Sequence, residues 1–313
     1  ISEENGMKVV FFDGRGGPPA RGGGKTHDFY ASQGKTIANN QIELTIQGQT
    51  ITSVFGNKDQ AKFNFEQLLT AGIENDVFKS VKKDLNDKER QLISELADIS
   101  YQKYSDLKAH PMFVPYLQEM STLEYYGRTN IGSRPSKRGA GSELKFEDLR
   151  AIPFVGSWSQ LKQNVPGFFG FGFALKTLMD AGRFDEIKDL YKGSDFFKTL
   201  VLNSMMSMNK TYFPLTYYMR NNEKFGEFWN ILFAEFSLSK EMMLELTGYK
   251  ILMQEEPLNR KSVKIREKIV LPLLSIQQYA LMKIQKGEGN RESYEKLVMR
   301  SLFGNINASR NSA

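Results

Sequence analysis

The chain has 313 residues, 40% of them hydrophobic and 25% charged, a composition that fits one large globular domain or two ordinary ones. Its formal charge of +6, from 42 basic and 36 acidic residues, favours anionic partners without naming nucleic acid. The lack of cysteine excludes disulfide and thiolate chemistry, and two histidines, His27 and His110, are too few for a zinc site built on several.

The N-terminal stretch "ISEENGMKVV" has no secretory pattern, so a cytoplasmic location is expected, and its start at Ile1 implies either that something was removed or that this is a piece of a longer protein. "KVVFF" (8–12) is a short apolar run ending at Asp13-Gly14 and predicts a buried strand near 8–13 that runs into a loop. Residues 42–55, "IELTIQGQTITSVF", alternate apolar and polar and predict one or two strands with a break at Gly48. From about Lys58 the spacing of apolar residues changes to three and four, so helices are expected through 63–73 and 89–107, with Pro111 opening the next segment. Residues 127–148 are basic, glycine-rich and nearly free of apolar side chains, the pattern of an exposed loop. "AIPFVGSW" (151–158) predicts a further strand, and after Phe168 the chain reads as almost wholly helical. The longest apolar run, Pro166–Leu175, is far too short to span a membrane, so no membrane partner is expected.

Two loops carry the chemistry. "GRGGPPARGGGKT" (14–26) ends like a phosphate-cradling motif, but Pro19 stands where that motif, and the dinucleotide fingerprint, need glycine. Proline donates no N–H and fixes its φ, so neither nucleotide reading holds. The glycines still admit close backbone approach, and Arg15 and Arg21 offer planar forks for carboxylate or phosphate; a flexible charged surface loop is the competing reading. In "NIGSRPSKR" (130–138), Arg134, Lys137 and Arg138 lie close together, without the interleaved aromatics of a nucleic-acid stacking platform. Arg150 heads the apolar run at 151, where a partly buried guanidinium needs an anionic partner, structural or substrate. Lys210 reads equally as a helix-end cation and Arg266 as a snorkelling surface side chain.

"GRGGPPARGGG" (14–24), "EYYGRTNIGSRPSKR" (124–138), "LRAIPFVGSWSQ" (149–160) and the ending "RNSA" (310–313), in this order and spacing, resemble phosphoenolpyruvate carboxylase. The resemblance runs from about Met7 to Ala313 and is to the C-terminal third of that enzyme. It implies an α/β fold that is predominantly α-helical: the later strands of a TIM-type (β/α)8 barrel, near 8–13, 42–55 and 151–158, with a large helical C-terminal region. Residues 1–313 would be the C-terminal part of that barrel domain, with the upstream part absent.

The family reaction joins phosphoenolpyruvate and bicarbonate to give oxaloacetate and phosphate through carboxyphosphate and an enolate. The resemblance implies catalytic roles for Arg15 in a mobile glycine loop, and for Arg134 and Arg150 in phosphate binding. Asp13 stands where the family usually has histidine, and "PPA" replaces a commoner "Ser-aliphatic-Gly". The resemblance further implies inhibition by aspartate or malate held by Arg21, Lys210, Arg266 and Asn311. It also implies a homotetramer, no nucleic-acid partner, and dependence on Mg²⁺ or Mn²⁺. The metal ligands are expected upstream of Ile1, none in this chain, so the isolated chain is expected to be inactive. The competing readings are a non-catalytic anion- or dicarboxylate-binding regulatory module, and a nucleic-acid binder using the basic loops.

Overall fold

The computed structural model describes residues 4–7, 26–33, 51–77, 84–128 and 144–309. Among these the protein is predominantly helical. The helices are α1 (Thr26–Ala31), α2 (Lys58–Val77), α3 (Asp87–Ala109), α4 (Phe113–Met120), α5 (Leu123–Tyr126), α6 (Ala151–Gln160), α7 (Phe171–Asp180), α8 (Phe184–Gly193), α9 (Asp195–Asn209), α10 (Gly226–Thr247), α11 (Pro257–Gln285) and α12 (Arg291–Ser309). No described helix is long and apolar enough to cross a membrane.

Local chemistry explains several boundaries. Asn86 accepts from the Glu89 backbone N–H while the Glu89 carboxylate accepts from that of Asn86, a reciprocal cap that starts α3. Ser194 accepts from Phe197 N–H and starts α9. In α8 the buried residues Phe184, Ile187, Leu190 and Tyr191 recur at helical spacing and give it one core face.

The core is built around α10. Its N-terminal half sends Phe228, Trp229 and Leu232 into one cluster with α4 and Trp158 of α6. Its C-terminal half sends Met242, Met243 and Leu246 into a second cluster with α7, α8 and α9. A third cluster joins Tyr125 and Tyr126 of α5 to Ala280 and Leu281 of α11 and Val298 and Leu302 of α12. Helices α7 and α10 approach so closely that a Cβ on Gly172 would sit 2.3 Å from Ser239 Cα.

At that crossing the buried Glu235 carboxylate accepts from the N–H groups of Gly170 and Phe173 at the start of α7, at 3.0 and 3.2 Å, and from the Ser239 hydroxyl. It acts as an N-cap supplied from another helix. Glu235→Ala, which strands both donors, is expected to lower unfolding free energy by about 2 kcal/mol. Glu235→Gln keeps an acceptor oxygen and is expected to cost much less; denaturant titration of the two variants checks both. Burial raises the Glu235 pKa above the ordinary carboxylate value. That group's contribution is therefore fully present below the ordinary value and lost as pH rises through the raised one, a dependence the Gln variant should lack.

Two strand expectations are corrected by the structure. Residues 151–158 belong to helix α6. Pro153 lies in its first turn, where no intrahelical N–H is needed. The buried set Pro153, Gly156, Ser157 and Gln160 has helical spacing, and Ser157 Oγ donates to Pro153 O at 2.7 Å. Its polar members hid that period from a reading of apolar residues alone. Residues 51–55, the end of the second expected strand, form a π-helical turn leading into α2. Phe55 packs its ring 5.0 Å from Phe65, and Asn64 Nδ2 donates to Val54 O. These contacts with α2 stand in for a neighbouring strand. No strand occurs among the described residues, and the expected strand at 8–13 and residues 42–50 lie outside them.

Candidate functional site

Of the sequence-predicted site residues, Asp13, Arg15, Arg21, Arg134 and Asn311 lie outside the described residues; Arg150, Lys210 and Arg266 lie within them.

Arg150 is the N-cap of α6, in extended conformation (φ −90°, ψ 144°), with no side-chain cap at this helix end. The segment before it is packed, because Leu144, Phe146 and Leu149 lean on the aromatic cluster around Phe113 and Trp158. Arg150 is held half-buried by that packing, and its Nε is buried with no hydrogen-bond partner among the described residues. The first turn of a helix leaves backbone N–H groups without intrahelical acceptors and carries the positive end of the dipole. A guanidinium and a helix start together form an electropositive corner suited to an oxyanion.

Lys210 and Arg266 come together. Lys210 ends α9 as its C-cap, and Arg266 lies in the first half of α11. Both line a cavity with about 470 Å³ of empty space, part of it continuous with solvent. The end of α6 and the turn after it, with Gln160, Lys162 and Asn164, close one wall; Glu267 of α11 and Asn305 of α12 close another. Arg266 Nη1 donates to Ser309 O at 3.0 Å, tying the last described turn of α12 to this cavity.

The cavity is strongly cationic. Lys162 is only 5% exposed and its ammonium lies 2.5 Å from Glu267 Oε1. Burial, first, and then Arg266 and Lys162 push the Lys210 pKa down to about 8. Burial also lowers the Lys162 pKa, against the opposing pull of Glu267. Lys162 is paired with Glu267, and Lys210 and Arg266 bring further positive charge to the same cavity. Sequence reasoning from the family motif named Lys210 and Arg266 but missed Lys162, Glu267 and Asn305. Nothing in their local sequence marks them, because the cavity brings together distant segments, such as Gln160 and Asn305, which are 145 residues apart.

Among the described residues no group of three or more His, Asp or Glu side chains is placed to hold a metal ion.

The family model described as phosphoenolpyruvate carboxylase matches residues 1–309. Proteins named phosphoenolpyruvate carboxylase are similar to the chain along nearly its whole length. The one from Corynebacterium efficiens is 32% identical over 292 residues, 90% of this chain and 32% of its own. That from Corynebacterium glutamicum is 32% identical over 319 residues, 98% of this chain and 34% of its own. That from Corynebacterium diphtheriae is 29% identical over 322 residues, 99% of this chain and 35% of its own. The chain spans about a third of the length of these curated relatives. On the family match over residues 1–309, the chain belongs to the phosphoenolpyruvate carboxylase family.

Proposed function

We propose that this chain is part of an enzyme that converts phosphoenolpyruvate and bicarbonate to oxaloacetate and phosphate. The observation that carries the reading is the family match over residues 1–309. In the reaction, a bicarbonate oxygen attacks phosphorus and the bond from phosphorus to the enol oxygen breaks. Carboxyphosphate and the pyruvate enolate result. Carboxyphosphate then releases phosphate and CO₂, and the enolate carbon attacks CO₂ to form the new carbon–carbon bond. Every species is anionic, so fixed cations in a dry site stabilise it. Arg150, at the start of α6, is suited to hold the phosphoryl oxygens, with Arg134 and Arg15 as the other arginines of the motif; Asp13 takes the place of the family histidine. The Mg²⁺ or Mn²⁺ that the resemblance implies would find its ligands elsewhere in the enzyme. Residues 1–313 would be the C-terminal part of a (β/α)8 barrel domain within a cytoplasmic homotetramer.

The cavity at Lys210 and Arg266 suits an inhibitory dicarboxylate, aspartate or malate, with Arg21 and Asn311 completing it. A ligand that draws Arg21 into this cavity withdraws the glycine loop carrying Arg15, so inhibition follows from a population shift. The same cavity supports a second reading for the chain on its own, as a dicarboxylate-binding module without catalysis.

The test is oxaloacetate formation by the full-length natural protein supplied with phosphoenolpyruvate, bicarbonate and Mg²⁺. Oxaloacetate and phosphate are expected in equal amounts and only with bicarbonate present; the isolated chain is expected to form none. Phosphate release without oxaloacetate would overturn the carboxylase reading.

A further inference from the structure

Helix α11 is apolar on two faces. One face, with Val263, Val270, Leu274 and Leu281, is buried against the rest of the chain, and α12 is its main neighbour. The other face is open. Leu258 is 81% exposed, Ile269 58% and Ile265 53%, and Ile276 and Tyr279 are exposed as well. With Ser262 and Pro272 filling the gaps, these exposed residues follow one another at alternating spacings of four and three. That alternation is the seam along which one helix packs on another, and it runs for about 30 Å. Single exposed apolar residues need no explanation, but a contiguous stripe of them marks a contact surface.

The rim of the seam is basic. Helix α11 has six basic residues and one acid, Glu267, which pairs with Lys162. Lys261, Lys264 and Lys268 are exposed beside the seam and make no ion pair among the described residues. An occupant with carboxylates at its edge is therefore favoured. A second copy of this helix offers none: antiparallel pairing about the middle of the seam sets Lys268 against its own equivalent, and parallel pairing brings no acid either. An anionic lipid surface suits the lysines but calls for a broad apolar face, wider than a helix-packing seam.

Size points to a tethered occupant. One helix about 10 Å wide along a 30 Å seam covers on the order of 300 Å², well short of the roughly 800 Å² per partner that holds separate proteins together. A segment of the same polypeptide needs less, because the tether supplies a high effective concentration. The chain spans about a third of the length of its curated relatives, which leaves ample polypeptide for this role.

We propose that an apolar helix rimmed by carboxylates, in the part of the full-length polypeptide outside residues 1–313, docks along this seam of α11. The inference rests on the reading of the chain as part of a longer enzyme, and is independent of the reaction and of the cavity at Lys210.

Two measurements on the full-length protein test it. Ile269→Cys and, separately, Lys88→Cys, whose site is exposed at the start of α3, are labelled with a maleimide and followed by peptide mass spectrometry. The Ile269→Cys thiol is expected to react at least about tenfold more slowly than the Lys88→Cys thiol, although nearby lysines by themselves would quicken it. Carbodiimide, which joins only touching ammonium and carboxylate groups, is then applied to the native protein. Cross-links from Lys261, Lys264 or Lys268 are expected to reach carboxylates outside residues 1–313 in species of single-polypeptide mass. Equal labelling of the two thiols would overturn the proposal, as would protection without such cross-links. Cross-links found only in species of twice that mass would assign the seam to a second copy, and protection that needs added phosphatidylserine vesicles would assign it to a lipid surface; either overturns the proposal. A natural protein of only 313 residues would instead remove the reading as part of a longer enzyme.

Discussion

Arg150→Ala is expected to lower turnover of phosphoenolpyruvate carboxylation by more than tenfold. A charged donor aimed at an oxyanion that gains charge in the transition state is worth about 2–4 kcal/mol. Arg150 fits that description because its Nε is buried and unpartnered among the described residues while its backbone opens α6. A guanidinium so placed costs desolvation in the free protein and regains it when an anion arrives. Arg150→Lys keeps the charge and loses the planar fork, so a partial recovery is expected. Steady-state kcat and KM for the two variants in the full-length protein, with circular dichroism as a check of folding, decide the matter. Near-normal turnover in Arg150→Ala would make this side chain a purely structural one.

Lys210→Ala is expected to raise the concentration of aspartate or malate needed for half-inhibition by more than tenfold, since two carboxylates lose one of the cations that hold them. The pH dependence follows from the depressed pKa. In the free protein burial, Arg266 and Lys162 bring Lys210 to about 8, and Glu267 is the acid facing the same cavity. A bound dicarboxylate favours the protonated ammonium and raises that value. Inhibition should therefore be strongest below pH 8 and weaken as pH rises above it, by at most about tenfold per pH unit. Lys210→Ala should flatten this profile. The free protein, by the same linkage, should gain stability as pH rises from about 8 toward the ordinary lysine value, because the unfolded chain keeps a proton there that the folded one has released. Inhibition curves at a series of pH values, for native and variant protein, check the sign. A profile that strengthens with pH would place the titrating group elsewhere.

Helix α6 links Arg150, at its N-terminus, to the cavity of Lys210 and Arg266, which Ser159 and Gln160 at its other end line, across a rod of about 15 Å.

The sequence by itself determined the helical body. The change to a spacing of three and four near Lys58 coincides with the start of α2, and the stretch 184–193 is α8 from end to end. Such helices are legible because their apolar residues, taken alone, trace one face. Helix α6 was not legible, because its buried face includes Gly156, which leaves room for the Tyr126 ring, Ser157, which donates to Pro153 O, and Gln160, which accepts from Asn305. The family motif singled out Arg150, Lys210 and Arg266 as chemically important, yet without it Arg150 reads equally as an arginine with a structural carboxylate partner, Lys210 as a helix-end cation and Arg266 as a snorkelling side chain. Only the tertiary structure decided that Lys210 and Arg266 share a cavity, that Lys162 joins them, and that Glu267 and Asn305 line it too. Lys162 and Glu267 are 105 residues apart, and the turn after α6 meets α11 through their ion pair. A buried charge is tolerable only where folding supplies its partner, and that partner's identity depends on packing across distant segments, which no local pattern of residues encodes.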